Sequence, residues 1–135
     1  MPLPLTDTAS TECLRLIIVE DDAVLAEYLG ELLIGMGHDV CGIAATETEA
    51  VAKAEEFRPD LMIVDGQLRE GSGVSAMTRI LGRRDVAYFY VTGNPWSLRE
   101  QAPGAVIVTK PFRLRELERA IAGAVASERQ RRSAL

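Results

Sequence analysis

Glu20, Asp21, Asp65, Thr92 and Lys110 each stand at or just after the end of a short apolar run in this 135-residue chain. Brought together, three carboxylates would repel and raise one another's pKa unless a cation joined them. A hard divalent ion meets that need: Mg²⁺ takes oxygen ligands, keeps several waters, and commonly sits between one or two carboxylates and a phosphoryl oxygen. Asp21 and Asp65 are the expected ligands, with Glu20 acting through water. Phosphoryl transfer needs an in-line nucleophile and compensation for charge on the equatorial oxygens. Asp65 is the candidate nucleophile, forming an acyl phosphate. Lys110 can pair with Asp65 at rest and with the phosphoryl group afterwards, and the Thr92 hydroxyl can donate to another phosphoryl oxygen.

The elements that must position these residues follow from the hydrophobic pattern. Residues 14–19 form a short, β-branched-rich run that predicts a strand buried on both faces. From 23 to 36 the period turns helical, with Val24, Leu25, Tyr28, Leu29, Leu32, Leu33 and Met36 expected along one apolar stripe. Asp22 is the natural N-cap, in preference to a third metal ligand, and Gly37 the natural stop. Residues 40–44 read as a second strand. Thr46 opens a second helix with Ala50, Val51, Ala54 and Phe57 inward, and Thr46 with Glu49 makes a capping box.

Residues 61–64 form a third buried strand ending at Asp65, and a loop follows through Gly73. Residues 74–81 read as helix, 86–91 and 105–108 as the fourth and fifth strands, and the last helix carries Leu114, Leu117, Ile121 and Val125. Pro95 and Pro103 bracket barely one helical turn, so the fourth helix is expected to be very short or missing. Alternating strands and helices with short connections imply a parallel sheet covered on both faces. In such sheets ligands collect at the carboxyl ends of the strands near the point where strand order reverses, which is where the five polar residues fall.

The segments I-I-V-E-D-D at 17–22, L-M-I-V-D at 61–65, V-T-G at 91–93 and T-K-P-F at 109–112 resemble, in this order and spacing, the receiver domains of two-component response regulators. The resemblance covers roughly residues 14–127. It implies a doubly wound (βα)5 fold of flavodoxin-like order, with Glu20 and Asp21 as the acidic pair, Asp65 as phosphoacceptor, Thr92 as switch residue, and Lys110 as the lysine before a cis-prone proline. It also implies that the Gln67 backbone carbonyl is a metal ligand and that Gln67 and Asn94 help set the dephosphorylation rate. Two positions depart from the pattern. Arg69 stands where the family usually has a proline, and Ile107 where it usually has a switch tyrosine or phenylalanine. The stretch F-Y-V-T-G-N at 89–94 resembles the FAT GUY branch of stand-alone receivers, associated with alphaproteobacterial stress signalling and with histidine kinases of the HWE and related classes.

Composition narrows the alternatives. The length suits a single domain, and the formal charge of −5 argues against a general nucleic-acid binder. Cys13 and Cys41 have neither CxxC nor zinc spacing, which points to a reduced, cytoplasmic setting. Residues 1–12 lack signal-peptide features and read as a flexible tail, and no apolar run is long enough to cross a bilayer. His38 reads as a surface residue without a role, and Gly71, Ser72 and Gly73 as a flexible loop lacking P-loop spacing. Trp96 is either a partner contact or a cover for the short-helix region. The basic run 129–132 reads as a solvated helix end complementing the macrodipole.

The expectation is a receiver domain over 13–127 followed by a polar tail, 128–135, with no attached output module. Its donor is expected to be a histidine kinase or histidine phosphotransfer protein, its output a downstream protein partner or a phosphate relay, and no nucleic acid or membrane is involved. It is not expected to be an enzyme, although it would promote its own phosphorylation and dephosphorylation. The rival is a phosphorylation-independent interaction module using the same fold, for which Ile107 is the best support. An aspartyl-phosphate phosphohydrolase is weaker, because such enzymes usually want D-x-D and here Gly66 and Gln67 follow Asp65.

Overall fold

A computed structural model describes residues 12–133. Its elements alternate strictly: β1 (Arg15–Val19), α1 (Ala23–Gly35), β2 (Asp39–Ala44), α2 (Glu47–Phe57), β3 (Leu61–Asp65), α3 (Gly73–Leu81), β4 (Ala87–Thr92), α4 (Pro95–Gln101), β5 (Ile107–Thr109) and α5 (Leu114–Ser133). The strands form one parallel sheet in the order β2-β1-β3-β4-β5. Strand order reverses between β1 and β3, so the crevice of a doubly wound sheet opens at the ends of those two strands.

Alternate residues of the central strands feed two cores. Leu16 and Ile18 of β1 pack with Leu29 and Leu33 of α1 and Leu117 and Ile121 of α5, while Ile17 and Val19 pack with Ala50 and Ala54 of α2, Met77 and Ile80 of α3, and Leu98 of α4. A parallel sheet with both faces covered requires such runs of apolar side chains, because no face is left for water. The expected doubly wound fold, with five parallel strands and five helices, is therefore present.

Local chemistry sets the helix ends. Asp22 accepts from the Val24 and Leu25 amides as N-cap of α1. At its other end Gly37 takes φ +94°, letting the His38 amide reach Leu33 O and its own amide reach Ile34 O, the two bonds of a Schellman motif. Thr46 caps α2 through the Glu49 amide, and the Glu49 carboxylate returns to the Ala45 amide, one residue earlier than in the usual capping box.

Helix α4 is short, as expected, the shortest helix among the described residues at seven; Asn94 caps it and Pro95 occupies its first turn, where a missing N–H costs nothing. Other expectations are corrected. On α1, Val24 and Tyr28 face outward and Ala26, Leu29, Gly30 and Leu33 turn inward. Leu114 is also exposed. Helix α5 continues through Ser133, so 128–133 is helix rather than tail. Its end is held by ion pairs of Arg129 with Glu12, Arg131 with Asp85 and Arg132 with Glu128. The tail expected over residues 1–12 lies, apart from Glu12, outside the described residues.

Candidate functional site

The carboxyl ends of β1 and β3 bring Glu20, Asp21 and Asp65 together, each offering an oxygen within 4.8 Å of the others. Glu20 and Asp65 are only 4% and 7% exposed. Lys110, which follows β5, crosses to this point and donates from Nζ to Asp65 Oδ2 at 3.0 Å and to Glu20 Oε1 at 3.2 Å. Its backbone amide bonds to Thr92 O, and its peptide link to Pro111 is cis. Thr92 is buried at the end of β4, one residue beyond Val91, the register partner of Asp65. Its Oγ1 accepts from the Asn94 amide at 3.0 Å. Glu20, Asp21, Asp65 and Lys110 thus meet in one crevice, and Thr92 stands at the end of the neighbouring strand.

The electrostatics reflect crowding of like charge in a partly dry site. Burial pushes Glu20 up to about 7; the Asp22 amide opposes this, and the neighbouring Asp65 adds to it. Burial alone would lower the Lys110 pKa, but its bonds and charge pairing with Asp65 and Glu20 outweigh that, leaving it raised and the ammonium charged. Three carboxylates against one ammonium leave the cluster net negative and oxygen-rich. That donor set fits a hard divalent cation such as Mg²⁺ better than a softer metal.

The loop between β3 and α3 completes the site. The Gln67 amide donates to Asp65 Oδ1 at 2.9 Å, so both carboxylate oxygens of Asp65 have a partner. Gln67 also bridges to Ser72, and Ser72 caps α3 by accepting from the Ser75 amide. The segment 71–73, expected to be a flexible loop, is instead pinned by Glu47 at the start of α2. The Glu47 carboxylate accepts from the Ser72 amide, the Ser75 hydroxyl and Arg79, and its amide donates to Glu70 O. These bonds hold the Glu47 pKa below the ordinary carboxylate range, the Ser75 hydroxyl contributing most. Sequence reasoning missed Glu47, because the partners of its carboxylate lie 25 or more residues away and no local pattern marks them.

Two expectations about residues outside the crevice change. His38 is half-buried, and its Nδ1 accepts from the Leu14 amide, so it has a structural role that the sequence did not reveal. Trp96 is exposed beside Arg99; Leu98, not Trp96, covers the short-helix region. No helix among the described residues is long and apolar enough to cross a membrane.

The family model for the response regulator receiver domain matches residues 16–122. The phyllosphere-induced regulator PhyR of Methylorubrum extorquens is 36% identical over 110 residues, covering 78% of this chain and 41% of its own. The transcriptional regulatory protein PdtaR of Mycobacterium tuberculosis is 32% identical over 131 residues, covering 94% of this chain and 64% of its own. The chain therefore spans less than two thirds of the length of either relative. Among solved structures, the anti-anti-sigma factor PhyR from Bartonella quintana superposes with a TM-score of 0.82 at 28% identity, over 96% of this chain and 55% of its own. With the fold, the acidic crevice and the family match in agreement, the chain belongs to the response regulator receiver domain family.

Proposed function

We propose that this receiver domain takes a phosphoryl group onto Asp65 in a Mg²⁺-dependent reaction and signals through the phosphorylated form. The observation that carries this reading is the position of Asp65: a buried carboxylate whose oxygens are held by the Gln67 amide and the Lys110 ammonium, beside two further acids. The donor is a phosphohistidine of a histidine kinase or phosphotransfer protein. An Asp65 oxygen attacks phosphorus in line, an O–P bond forms as the donor's N–P bond breaks, and the imidazole leaves with a proton from solvent.

Asp21 and Asp65 would hold the metal together with the Gln67 carbonyl, and Glu20 would act through water. Bound there, Mg²⁺ supplies charge neutralisation for the transferring oxygens. Lys110 fixes the Asp65 carboxylate before transfer and pairs with a phosphoryl oxygen after it. The Thr92 hydroxyl turns from the Asn94 amide to donate to another phosphoryl oxygen. The domain acts on itself rather than turning over a substrate. Its similarity to PhyR, an anti-anti-sigma factor in Bartonella quintana, supports a protein as the downstream partner.

The test is intact mass after incubation with acetyl phosphate, with and without Mg²⁺, on wild type and Asp65→Asn. A phosphoryl adduct that requires both the metal and Asp65 is expected. No adduct from acetyl phosphate or from a phosphorylated histidine phosphotransfer protein, together with no Mg²⁺ binding, would overturn it. The phosphorylation-independent interaction module, favoured by Ile107 in β5, would then be the better reading.

A further inference from the structure

Asp21 has a partner that the phosphorylation chemistry does not use. The Arg69 backbone amide donates to Asp21 Oδ2 at 2.7 Å, and the Arg69 Nε lies 3.7 Å from the same oxygen. Arg69 belongs to the loop between β3 and α3, so the contact joins the end of β1 to the loop that follows the phosphoacceptor. The two residues are 48 positions apart. Glu47 anchors the far side of that loop at Ser72 and the Gln67 amide ties its start to Asp65, which leaves Arg69 as the loop's link to Asp21. Proline, lacking an N–H and a charge, could make neither contact.

We propose that Arg69 is an internal competitor for the acidic crevice, holding Asp21 toward the loop and lowering the affinity of the site for a divalent cation. This rests on the reading of Glu20, Asp21 and Asp65 as a metal site. The argument is one of charge. A cation entering the cluster must share Asp21 with a guanidinium that already offsets part of its charge, and it must also displace or share the amide bond to Oδ2. The guanidinium is 82% exposed while the Asp21 side chain is 19% exposed. Solvent therefore screens the guanidinium, and its effect on affinity is modest and salt-dependent. Loading of the crevice and attachment of the loop are coupled through this single carboxylate, so a cation that takes Asp21 weakens the hold on Arg69, and release of Arg69 favours the cation.

The test is isothermal titration of metal-free protein with Mg²⁺, at low and high salt, on wild type, Arg69→Ala, Arg69→Lys and Arg84→Ala. The last variant removes the same charge from a residue paired with Glu55, away from the site. Thermal melts confirm that each variant is folded. Arg69→Ala is expected to bind Mg²⁺ about two- to fivefold tighter at low salt, with the gain shrinking as salt rises. Arg69→Lys should fall between it and wild type, and Arg84→Ala should match wild type. Equal affinity for wild type and Arg69→Ala, or an equal gain in Arg84→Ala, would overturn the competitor while leaving the metal site standing. Absence of Mg²⁺ binding by every variant would overturn both.

Discussion

Lys110 Nζ sits 3.0 Å from Asp65 Oδ2 while also reaching Glu20, so one ammonium offsets two buried carboxylates at once. Removing one partner of a buried, hydrogen-bonded charge group costs more than the net worth of the pair, because the other partner stays desolvated. Lys110→Ala is therefore expected to lower the stability of metal-free protein by about 2 kcal/mol, less than a fully enclosed pair because the lysine is partly exposed. Mg²⁺ at saturation should recover much of that loss by supplying the missing positive charge. Urea unfolding of wild type and variant in EDTA and in Mg²⁺ checks this; an identical loss in both buffers would mean that Lys110 and the metal do not share the same carboxylates.

Gly73 opens α3 directly against the phosphoacceptor strand. A Cβ there would overlap Asp65 O and stand 2.7 Å from Val64 Cγ1, both fixed parts of β3. Gly73→Ala must push α3 or the end of β3 aside, at about 3 kcal/mol. At Gly93 a Cβ would meet nothing within 4 Å, so Gly93→Ala should stay within about 0.5 kcal/mol of wild type. Denaturant midpoints of the two variants give the comparison, and similar midpoints would contradict the close approach at Gly73.

The parts of this molecule that could be read in the sequence are those governed by short-range rules. Buried parallel strands are contiguous apolar runs, so the first polar residue after each run marks the strand end; Glu20, Asp65 and Thr92 fall there, and Lys110 follows Thr109, the end of β5. Helix α1 shows where that reasoning stops. It is apolar on most of its surface, so period alone could not select the buried face. Small Ala26 and Gly30 let α1 approach the sheet, with Leu29 and Leu33, and turn Val24 and Tyr28 outward. The end of α5 read as a tail because it is charged, yet Glu12 and Asp85, distant in sequence, pair with its arginines. The contacts of Arg69 with Asp21 and of Glu47 with Ser72 were illegible for the same reason.

The segment after β4 is expected to respond to phosphorylation. Thr92 Oγ1 holds the Asn94 amide, Asn94 caps α4, and the Leu98 side chain lies so close over Gly66 that a Cβ there would be 3.1 Å from its methyls. Rotation of Thr92 toward a phosphoryl group on Asp65 withdraws the acceptor from Asn94 and loosens the start of a helix of only seven residues. With Ile107 in place of an aromatic on β5, this is a direct route from Asp65 to the surface. Amide exchange at residues 93–104 should quicken when beryllofluoride binds with Mg²⁺. Unchanged exchange there would count against this route.

His38 ties the end of α1 to the start of β1, its Nδ1 accepting from the Leu14 amide at 3.2 Å. A protonated imidazole has no free lone pair and cannot accept that bond. Burial lowers the His38 pKa below its ordinary 6.5, while the nearby Glu12 carboxylate pulls the other way without prevailing. With the folded value depressed, the unfolded chain binds the proton more readily. Stability from neutral His38 is therefore complete above about pH 6.5 and is lost as pH falls from there through the folded value. Wild type should lose stability over that window relative to His38→Gln, whose side-chain oxygen can accept the Leu14 amide at any pH. Chemical denaturation at pH 7.5 and pH 5.5 measures the difference. Parallel pH profiles for the two proteins would show that the bond to Leu14 does not depend on the imidazole's charge.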